Sequence, residues 1–197
     1  AIDCTVEGYS AVGGAYGRID GGTHNREYNN SKVSASSHTA GGIVGYLDNE
    51  NMTAVSNNSS IYDSYFADGK ISAPRNVGGL IGYLDNERMT DSVYIIKIYE
   101  NYVADSNITG NQNIGGLIGN SYKELLDNNY YYKNYVQADL ISDDNLTVSL
   151  GIGGRKVDNQ KFVNTYFYKY STINGENPNE QNELFITQDK YLIGEEL

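Results

Sequence analysis

Apolar residues along this chain fall in short runs that polar, turn-forming residues separate. Segments such as 79–83 and 93–99 are rich in β-branched and aromatic residues, and Gly, Asn, Asp and Ser bound them. This pattern predicts β-strands rather than amphipathic helices. One segment, 121–126, predicts a helical turn, because Ser121 and Glu124 have the spacing of a capping box.

A short motif of the type Gly-Gly-Leu-Ile-Gly, called the glycine phrase below, recurs at a fixed spacing. Its first glycines, at 41, 78 and 115, are 37 residues apart, and one tyrosine lies 13 residues before each of them. A fixed period of this length indicates a repeat architecture whose units stack on one another. The predicted structural residues of the repeat are its glycines and those tyrosines: Gly41, Gly42, Gly45, Gly78, Gly79, Gly82, Gly115, Gly116, Gly119, Tyr28, Tyr65 and Tyr102.

Weaker copies of the repeat flank these three. The segment 12–20 matches the glycine phrase, although it precedes the copy at Gly41 by only 28 residues, and Cys4–Gly8 fits the slot of Tyr65–Gly69. Degraded copies lie downstream at 134–138 and 150–154, with a last partial copy at 165–168. We therefore predict one repeat domain at 1–170, and a C-terminal cap or the start of a linker at 171–197.

Each unit offers three short strands, at the glycine phrase, before the tyrosine (60–65) and after it (70–73). Asn- and Asp-containing corners separate these strands, as turns require. The predicted fold is therefore all-β, a parallel β-helix (β-solenoid) of about five three-sided coils with loop insertions. We expect interior columns of Ile43, Leu80 and Leu117 and of the three tyrosines. We expect the glycines to allow positive φ and close backbone approach.

The glycine phrase and its neighbours resemble the GLUG motif, a bacterial repeat with a Gly-Leu-x-Gly core. Gly79–Gly82 and Gly116–Gly119 fit that core, Gly42–Gly45 fits it with Ile for Leu, and Asp63–Gly69 and Glu100–Asp105 match the accompanying stretch. The resemblance covers most of the chain. The period of 37 residues exceeds that of the compact motif, which implies insertions near 48–60, 86–97 and 120–132, where a specific partner would bind.

The resemblance implies a large secreted or surface-attached bacterial protein. GLUG-like repeats occur in adhesins and in non-catalytic regions of zinc metalloproteases similar to the immunoglobulin A proteases of Gram-positive bacteria. The chain starts at Ala1 without Met or a signal peptide, so we expect a piece of a longer chain with other domains. The expected location is secreted or attached to the cell surface.

The net charge of −11 and the pI near 4.5 make nucleic acid and anionic membranes poor partners. No apolar run approaches the roughly 18 residues that a membrane span needs, so we expect no membrane insertion. The single cysteine, Cys4, is predicted to be a small buried residue rather than a reactive thiol. A host protein or a glycan remains the expected kind of partner.

The chain offers little catalytic chemistry. The histidines, His24 and His38, do not form the His-Glu-x-x-His pattern of zinc peptidases and lie in polar, turn-like stretches. If the parent protein is a metallopeptidase, its catalytic domain lies elsewhere. We predict that this segment is not an enzyme and holds no cofactor and no metal.

Three interpretations of the carboxylates remain open. Asp143-Asp144, or Asp48 and Asp85, would supply the carboxylates of a carbohydrate-active β-helix. The acidic corners at 48–50 and 85–87 would also suit calcium. Because Asp48 and Asp85 recur with the repeat, a structural role in a turn is favoured over both alternatives.

Tyrosine is unusually frequent, with 19 Tyr and no Trp. The dense stretch Tyr130, Tyr131 and Tyr132 is a candidate binding surface, since exposed tyrosines suit protein or glycan contacts. The alternative is that alternate tyrosines fill the interior while the others pack across neighbouring strands. The favoured function is a non-catalytic extracellular spacer and binding module of an immunoglobulin A protease-like metallopeptidase. The alternatives are an adhesin array and a carbohydrate-active β-helix.

Overall fold

The computed structural model of the chain describes residues 3–49, 58–86, 95–122, 129–143, 148–149, 151–153, 162–163, 165–168 and 171–176. Every regular element in this part of the chain is a β-strand, and every pairing between named strands is parallel. None of these residues belongs to a helix long and apolar enough to cross a membrane. The predicted all-β parallel solenoid is confirmed.

The strands form four sheets that run along the solenoid. Sheet A contains β1 (Thr5–Gly8), β5 (Tyr28–Asn29), β6 (Lys32–Ala35), β10 (Tyr65–Ala67), β11 (Lys70–Ser72), β15 (Tyr102–Gly110), β19 (Tyr135–Ser142), β22 (Tyr166–Phe167) and β23 (Thr172–Ile173). Sheet B contains β2 (Ala11–Gly13), β7 (Thr39–Gly41), β12 (Arg75–Gly78), β16 (Gln112–Gly115) and β20 (Val148–Ser149).

Sheet C contains β3 (Tyr16–Asp20), β8 (Val44–Asp48), β13 (Ile81–Asp85) and β17 (Ile118–Tyr122). Sheet D contains β4 (Thr23–Asn25), β9 (Asn58–Tyr62), β14 (Ile95–Tyr99), β18 (Asn129–Tyr132) and β21 (Phe162–Val163). A complete coil such as 58–85 passes through sheets D, A, B and C in that order. Each coil therefore has four sides, one in each sheet, rather than the three sides that the sequence predicted.

The extra side arises because the glycine phrase is a corner and not a strand. Gly78 ends β12 and Ile81 begins β13, so Gly79 and Leu80 turn the chain between sheets B and C. A Cβ atom on Gly79 would lie 2.1 Å from the carbonyl oxygen of Gly116 in the next coil. Within the described residues the glycines with positive φ are Gly21, Gly22 and Gly175, so close backbone approach, and not positive φ, explains the glycines of the repeat.

The interior consists of stacked apolar side chains. Leu80 donates its backbone N–H to Leu117 at 2.9 Å and accepts that of Ile43 at 3.0 Å, and all three side chains are fully buried. Further columns are Ile61, Ile98 and Tyr131 in sheet D and Val33, Ile71, Ile108 and Leu140 in sheet A. Burial stabilises each such side chain by roughly 1.5–3 kcal/mol, which holds adjacent coils together.

The repeat tyrosines stack in register, but on the outside of the solenoid. Tyr65 pairs with Tyr28 and Tyr102 and is 38% exposed, whereas Phe66 next to it is fully buried. The expected interior column of tyrosines is therefore wrong. Neighbouring residues of a strand point to opposite faces, and Gly42 leaves room for the Phe66 ring, which a Cβ would approach to 2.5 Å.

Cys4 also departs from expectation. Thr5 pairs with Lys32, which pairs with Lys70, so Cys4 aligns with Ser31 and Gly69 rather than with Tyr65. It is exposed, and its sulfur lies 3.2 Å from Ser31 Oγ. The predicted alignment was wrong because β1 continues the line of β6 and β11, not that of the tyrosine strands. The predicted burial of Cys4 was wrong as well.

The remaining differences concern the segments between sheets C and D. In the first coil Gly21 and Gly22, both at positive φ, join β3 directly to β4, which explains the shorter spacing there. In later coils the predicted insertions fall between β8 and β9, β13 and β14, and β17 and β18, largely outside the described residues. Ser121 and Tyr122 belong to a strand rather than to the predicted helical turn, whose other residues lie outside the described part.

Candidate functional site

The corner between sheets D and A has the same construction in three coils. A tyrosine ends the sheet D strand, two residues turn the chain, and a second tyrosine begins the sheet A strand: 62–65, 99–102 and 132–135. The first turn residue has positive φ at each level, as Asp63, Glu100 and Lys133 have values of 50°, 55° and 53°. We call this region the tyrosine corner.

One side of the tyrosine corner is the sheet D ladder, formed by Tyr62, Tyr99 and Tyr132. The ring centroids of Tyr62 and Tyr99 are 4.8 Å apart, and those of Tyr99 and Tyr132 are 4.7 Å apart. The interplanar angles of 5° and 4° make these rings parallel. Tyr62 and Tyr132 therefore cover the two faces of the Tyr99 ring, which leaves its edge and hydroxyl group for other contacts.

The other side is the sheet A ladder, formed in register by Tyr28, Tyr65, Tyr102 and Tyr135. Tyr166 is the register partner of Tyr135, and Tyr168, two residues further along the chain, also contacts the Tyr135 ring. Tyr65 and Tyr102 stack at 4.9 Å with a 4° angle. Further along, the rings of Tyr102 and Tyr135 are 6.1 Å apart and tilted by 36°, and those of Tyr135 and Tyr168 are 6.2 Å apart and tilted by 43°. Tyr135 is half-buried, whereas Tyr65 and Tyr102 are 38% and 41% exposed, so the wider spacing does not expose Tyr135 further.

Charged residues between the ladders pair with each other along the solenoid axis. Arg26 Nε lies 3.5 Å from an Asp63 carboxylate oxygen, and Lys133 Nζ lies 2.9 Å from that of Glu100. Each pair joins neighbouring coils. The row thus carries two cations and two anions, and the tyrosine corner has no excess of either sign among these residues.

A buried polar ladder supports the corner from beneath. Asn134 is fully buried, and its Oδ1 accepts both the backbone N–H of Asn101, at 3.2 Å, and the side-chain amide of Asn101, at 3.1 Å. Asn101 Oδ1 accepts the N–H of Ser64 at 3.1 Å. These bonds satisfy backbone polar groups where the chain turns, so they fix the position of each tyrosine pair along the solenoid axis.

Four hydroxyl groups of the ladders, those of Tyr65, Tyr99, Tyr132 and Tyr135, stay protonated at neutral pH. Burial, with nearby charges and phenols as smaller causes, raises the pKa of Tyr65, Tyr99, Tyr132 and Tyr135 above the ordinary tyrosine value. A protonated phenol both donates and accepts hydrogen bonds. The Tyr135 hydroxyl donates to Gln137 Oε1 at 3.0 Å and the Tyr65 hydroxyl to Asp63 Oδ1 at 3.5 Å, while the Tyr62 hydroxyl accepts from Asn25 Nδ2 at 2.6 Å. These phenols offer a ligand their remaining hydrogen-bonding capacity beside apolar ring surface.

The predicted surface at Tyr130, Tyr131 and Tyr132 is only partly located here. Tyr131 is buried in the sheet D column, so its assignment to a binding surface was wrong. Tyr132 belongs to the sheet D ladder, and the side chain of Tyr130 lies outside the described part. Tyr62 and Tyr99 were missed, although Tyr-x-x-Tyr recurs at 62–65, 99–102 and 132–135.

The recurring aspartates lie on sheet C, apart from the tyrosine corner. Asp48 and Asp85 are buried; Asp48 accepts a hydrogen bond from Arg18, and Asp85 accepts one from the Tyr46 hydroxyl. The Arg18 guanidinium lies 5.2 Å from the centroid of the Tyr46 ring. These contacts favour a structural role for both carboxylates, through side-chain donors from adjacent strands.

The other candidate residues do not converge on a reactive centre. His24 packs edge-on against Tyr16 with centroids 5.1 Å apart, and His38 Nδ1 lies 2.6 Å from Ser37 Oγ. Asp143 is exposed, while Asp144 lies outside the described residues. Within the part of the chain that the structure describes, no group of three His, Cys, Asp or Glu residues has the arrangement of a metal site.

Comparison with known proteins supports the fold. No protein-family model matches the chain, and no characterised protein matches it in sequence. A crystal structure from Bacteroides ovatus, of a protein provisionally designated an immunoglobulin A1 protease, matches with a TM-score of 0.57 and 14% sequence identity. The alignment covers 96% of this chain and 64% of that one, so this chain spans less than two thirds of its neighbour's length.

Proposed function

We propose that this chain is a non-catalytic β-solenoid module of a large secreted or surface-attached bacterial protein. It acts as a spacer between other domains and contacts a host macromolecule through the tyrosine corner. The observation that carries this proposal is the continuity of the two tyrosine ladders across successive coils. Exposed tyrosines offer large contact area and hydrogen bonding at low entropic cost, and they are enriched in binding surfaces.

The repetitive construction supports a binding role over catalysis. A catalytic site needs a singular arrangement, whereas the tyrosine corner repeats at intervals of one coil. Two of the four aspartates considered for a carbohydrate-active β-helix, Asp48 and Asp85, are buried and bonded to Arg18 and Tyr46. Their carboxylates are thus occupied within the protein.

The structural neighbour suggests which parent protein to consider first. Its designation as an immunoglobulin A1 protease agrees with the resemblance of the glycine phrase to repeats of such proteins. We therefore propose an immunoglobulin A protease-like metallopeptidase as the parent, with its zinc-binding His-Glu-x-x-His segment elsewhere. A free-standing adhesin array is the alternative, and the sequence of the adjoining domains distinguishes the two.

Surface plasmon resonance with immobilised immunoglobulin A1 and with mucin tests the binding role. We expect the chain to bind at least one of these surfaces, and the double variant Tyr65→Ser/Tyr102→Ser to bind at least about tenfold more weakly. Tyr9→Ser is the matched control, because Tyr9 is 75% exposed and lies outside both ladders. Equal binding by both variants, or cleavage of either target by the isolated chain, would contradict the proposal.

A further inference from the structure

We infer that the ligand of the tyrosine corner is a neutral polysaccharide chain lying along the solenoid axis. This inference rests on the proposed binding function and narrows its ligand to one chemical class. It follows from the period of the ladders, the orientation of their rings and the balance of charge between them.

The period of the ladders suits a sugar chain better than an extended peptide. The parallel rings repeat every 4.7 to 4.9 Å along the axis. An extended β-linked pyranose chain advances by a similar distance per sugar, so each sugar would meet one tyrosine pair. An extended peptide advances about 3.3 Å per residue and places side chains on one face about every 6.6 Å, which does not match this repeat.

The orientation of the rings suits an oxygen-rich ligand. The edge of an aromatic ring carries partial positive charge, and the parallel ladder members direct edges and hydroxyls outwards. Sugar hydroxyls and ring oxygens complement both features.

The charges of the corner favour a neutral ligand. Arg26 pairs with Asp63 and Lys133 pairs with Glu100, so each cation there has a carboxylate partner. The whole chain has a net charge of −11, which repels anionic polymers. A neutral glycan requires neither a separation of these pairs nor a cationic surface.

Native gel electrophoresis in gels that contain soluble polysaccharides tests this inference with the full chain. The probes are neutral β-1,4-linked glucomannan and xylan, with anionic polygalacturonate for comparison. We expect retardation by at least one neutral probe and none by polygalacturonate. Tyr102→Ser should weaken this binding about tenfold and Tyr102→Phe should weaken it less, while Tyr9→Ser should leave it unchanged. Circular dichroism and thermal unfolding establish that each variant is folded.

A second arm separates this inference from the proposed function. Mucin from which sialic acid has been removed is immobilised before and after enzymatic removal of its remaining, neutral glycans, and binding of wild type, Tyr102→Ser and Tyr9→Ser is compared. Tyr102-dependent binding that disappears on deglycosylation supports the inference. Equal, Tyr102-dependent binding to both forms would overturn the glycan ligand and leave the binding function standing. Retardation by polygalacturonate alone, or by no neutral polysaccharide, would also overturn the inference.

Discussion

Asn101 and Asn134 stack directly beneath the tyrosine corner, where one oxygen of Asn134 accepts both the side-chain and the backbone N–H groups of Asn101. The two bonds measure 3.1 and 3.2 Å, and both residues are fully buried. Asn101 also donates from Nδ2 to the carbonyl oxygen of Ile61 at 2.9 Å. One buried amide therefore connects three successive coils at the point where the chain turns between sheets D and A.

Replacing this amide should destabilise the solenoid. Asn101→Ala leaves the backbone N–H of Ser64 and the oxygen of Ile61 without this partner in a buried site, and each such loss costs about 1–3 kcal/mol. We expect the free energy of unfolding to fall by about 2–4 kcal/mol in urea denaturation.

Two variants serve as controls for Asn101→Ala. Asn101→Ser should cost less, because Ser64 occupies the equivalent corner position in the preceding coil. Asn111→Ala, at an exposed residue, should be close to neutral. Similar losses for Asn101→Ala and Asn111→Ala would show that the buried amides do not hold the corner.

The glycines of the corner between sheets B and C should be intolerant of any side chain. In Gly79→Ala the new methyl group would lie 2.1 Å from the carbonyl oxygen of Gly116 and 2.6 Å from Val103 Cγ1, so adjacent coils would have to separate. We expect a loss of at least about 3 kcal/mol in unfolding free energy, or failure to fold. Gly8→Ala is the matched control, since its closest neighbour is a side-chain methyl of Val12 at 2.8 Å. A smaller loss for Gly79→Ala than for Gly8→Ala would contradict this close packing.

The period of the sequence was sufficient to predict the stacking of coils, because residues spaced by 37 become direct neighbours in adjacent coils. Leu80 and Leu117 illustrate this point, as do Tyr65 and Tyr102. The same period could not tell a strand from a corner. Gly79-Leu80 reads as part of an apolar strand, and only the approach of Gly79 to Gly116 reveals the bend.

The sequence pattern also could not predict on which side of the sheet the tyrosines lie. Tyr65 and Phe66 are both aromatic, so alternation alone allows either of them to face inwards. The decision depends on a contact distant in sequence, the space that Gly42 leaves for the Phe66 ring. For the same reason the exposed column of Tyr28, Tyr65 and Tyr102 was predicted to lie in the interior, and buried Tyr131 was predicted to lie on the surface.

Sheet C should lose stability in alkali. Burial, together with the hydrogen bond to Asp85, raises the pKa of Tyr46 well above the ordinary value of about 10. The folded chain then holds this proton more tightly than the unfolded chain, so stability is retained below about pH 10 and falls as the pH rises further. Urea midpoints measured across this range should decline for wild type and less steeply for Tyr46→Phe.

The Tyr46→Phe variant should still lose some stability at alkaline pH, because the ladder tyrosines with raised pKa values remain in it. Tyr9→Phe provides the control, because Tyr9 is exposed and lies between β1 and β2, outside sheet C. Identical alkaline slopes for wild type and Tyr46→Phe would remove Tyr46 as the source of the effect.

The most direct test of the binding account is an NMR titration of the chain, carrying ring-labelled tyrosine, with soluble glucomannan and, separately, with soluble xylan. Single Tyr→Phe variants assign the signals. The account predicts that the ring resonances of Tyr65, Tyr99 and Tyr102 shift together with at least one of these polysaccharides while those of Tyr9 and Tyr46 do not. Shifts confined to Tyr9 or Tyr46, or unchanged ladder resonances with both polysaccharides at saturating concentration, would contradict it.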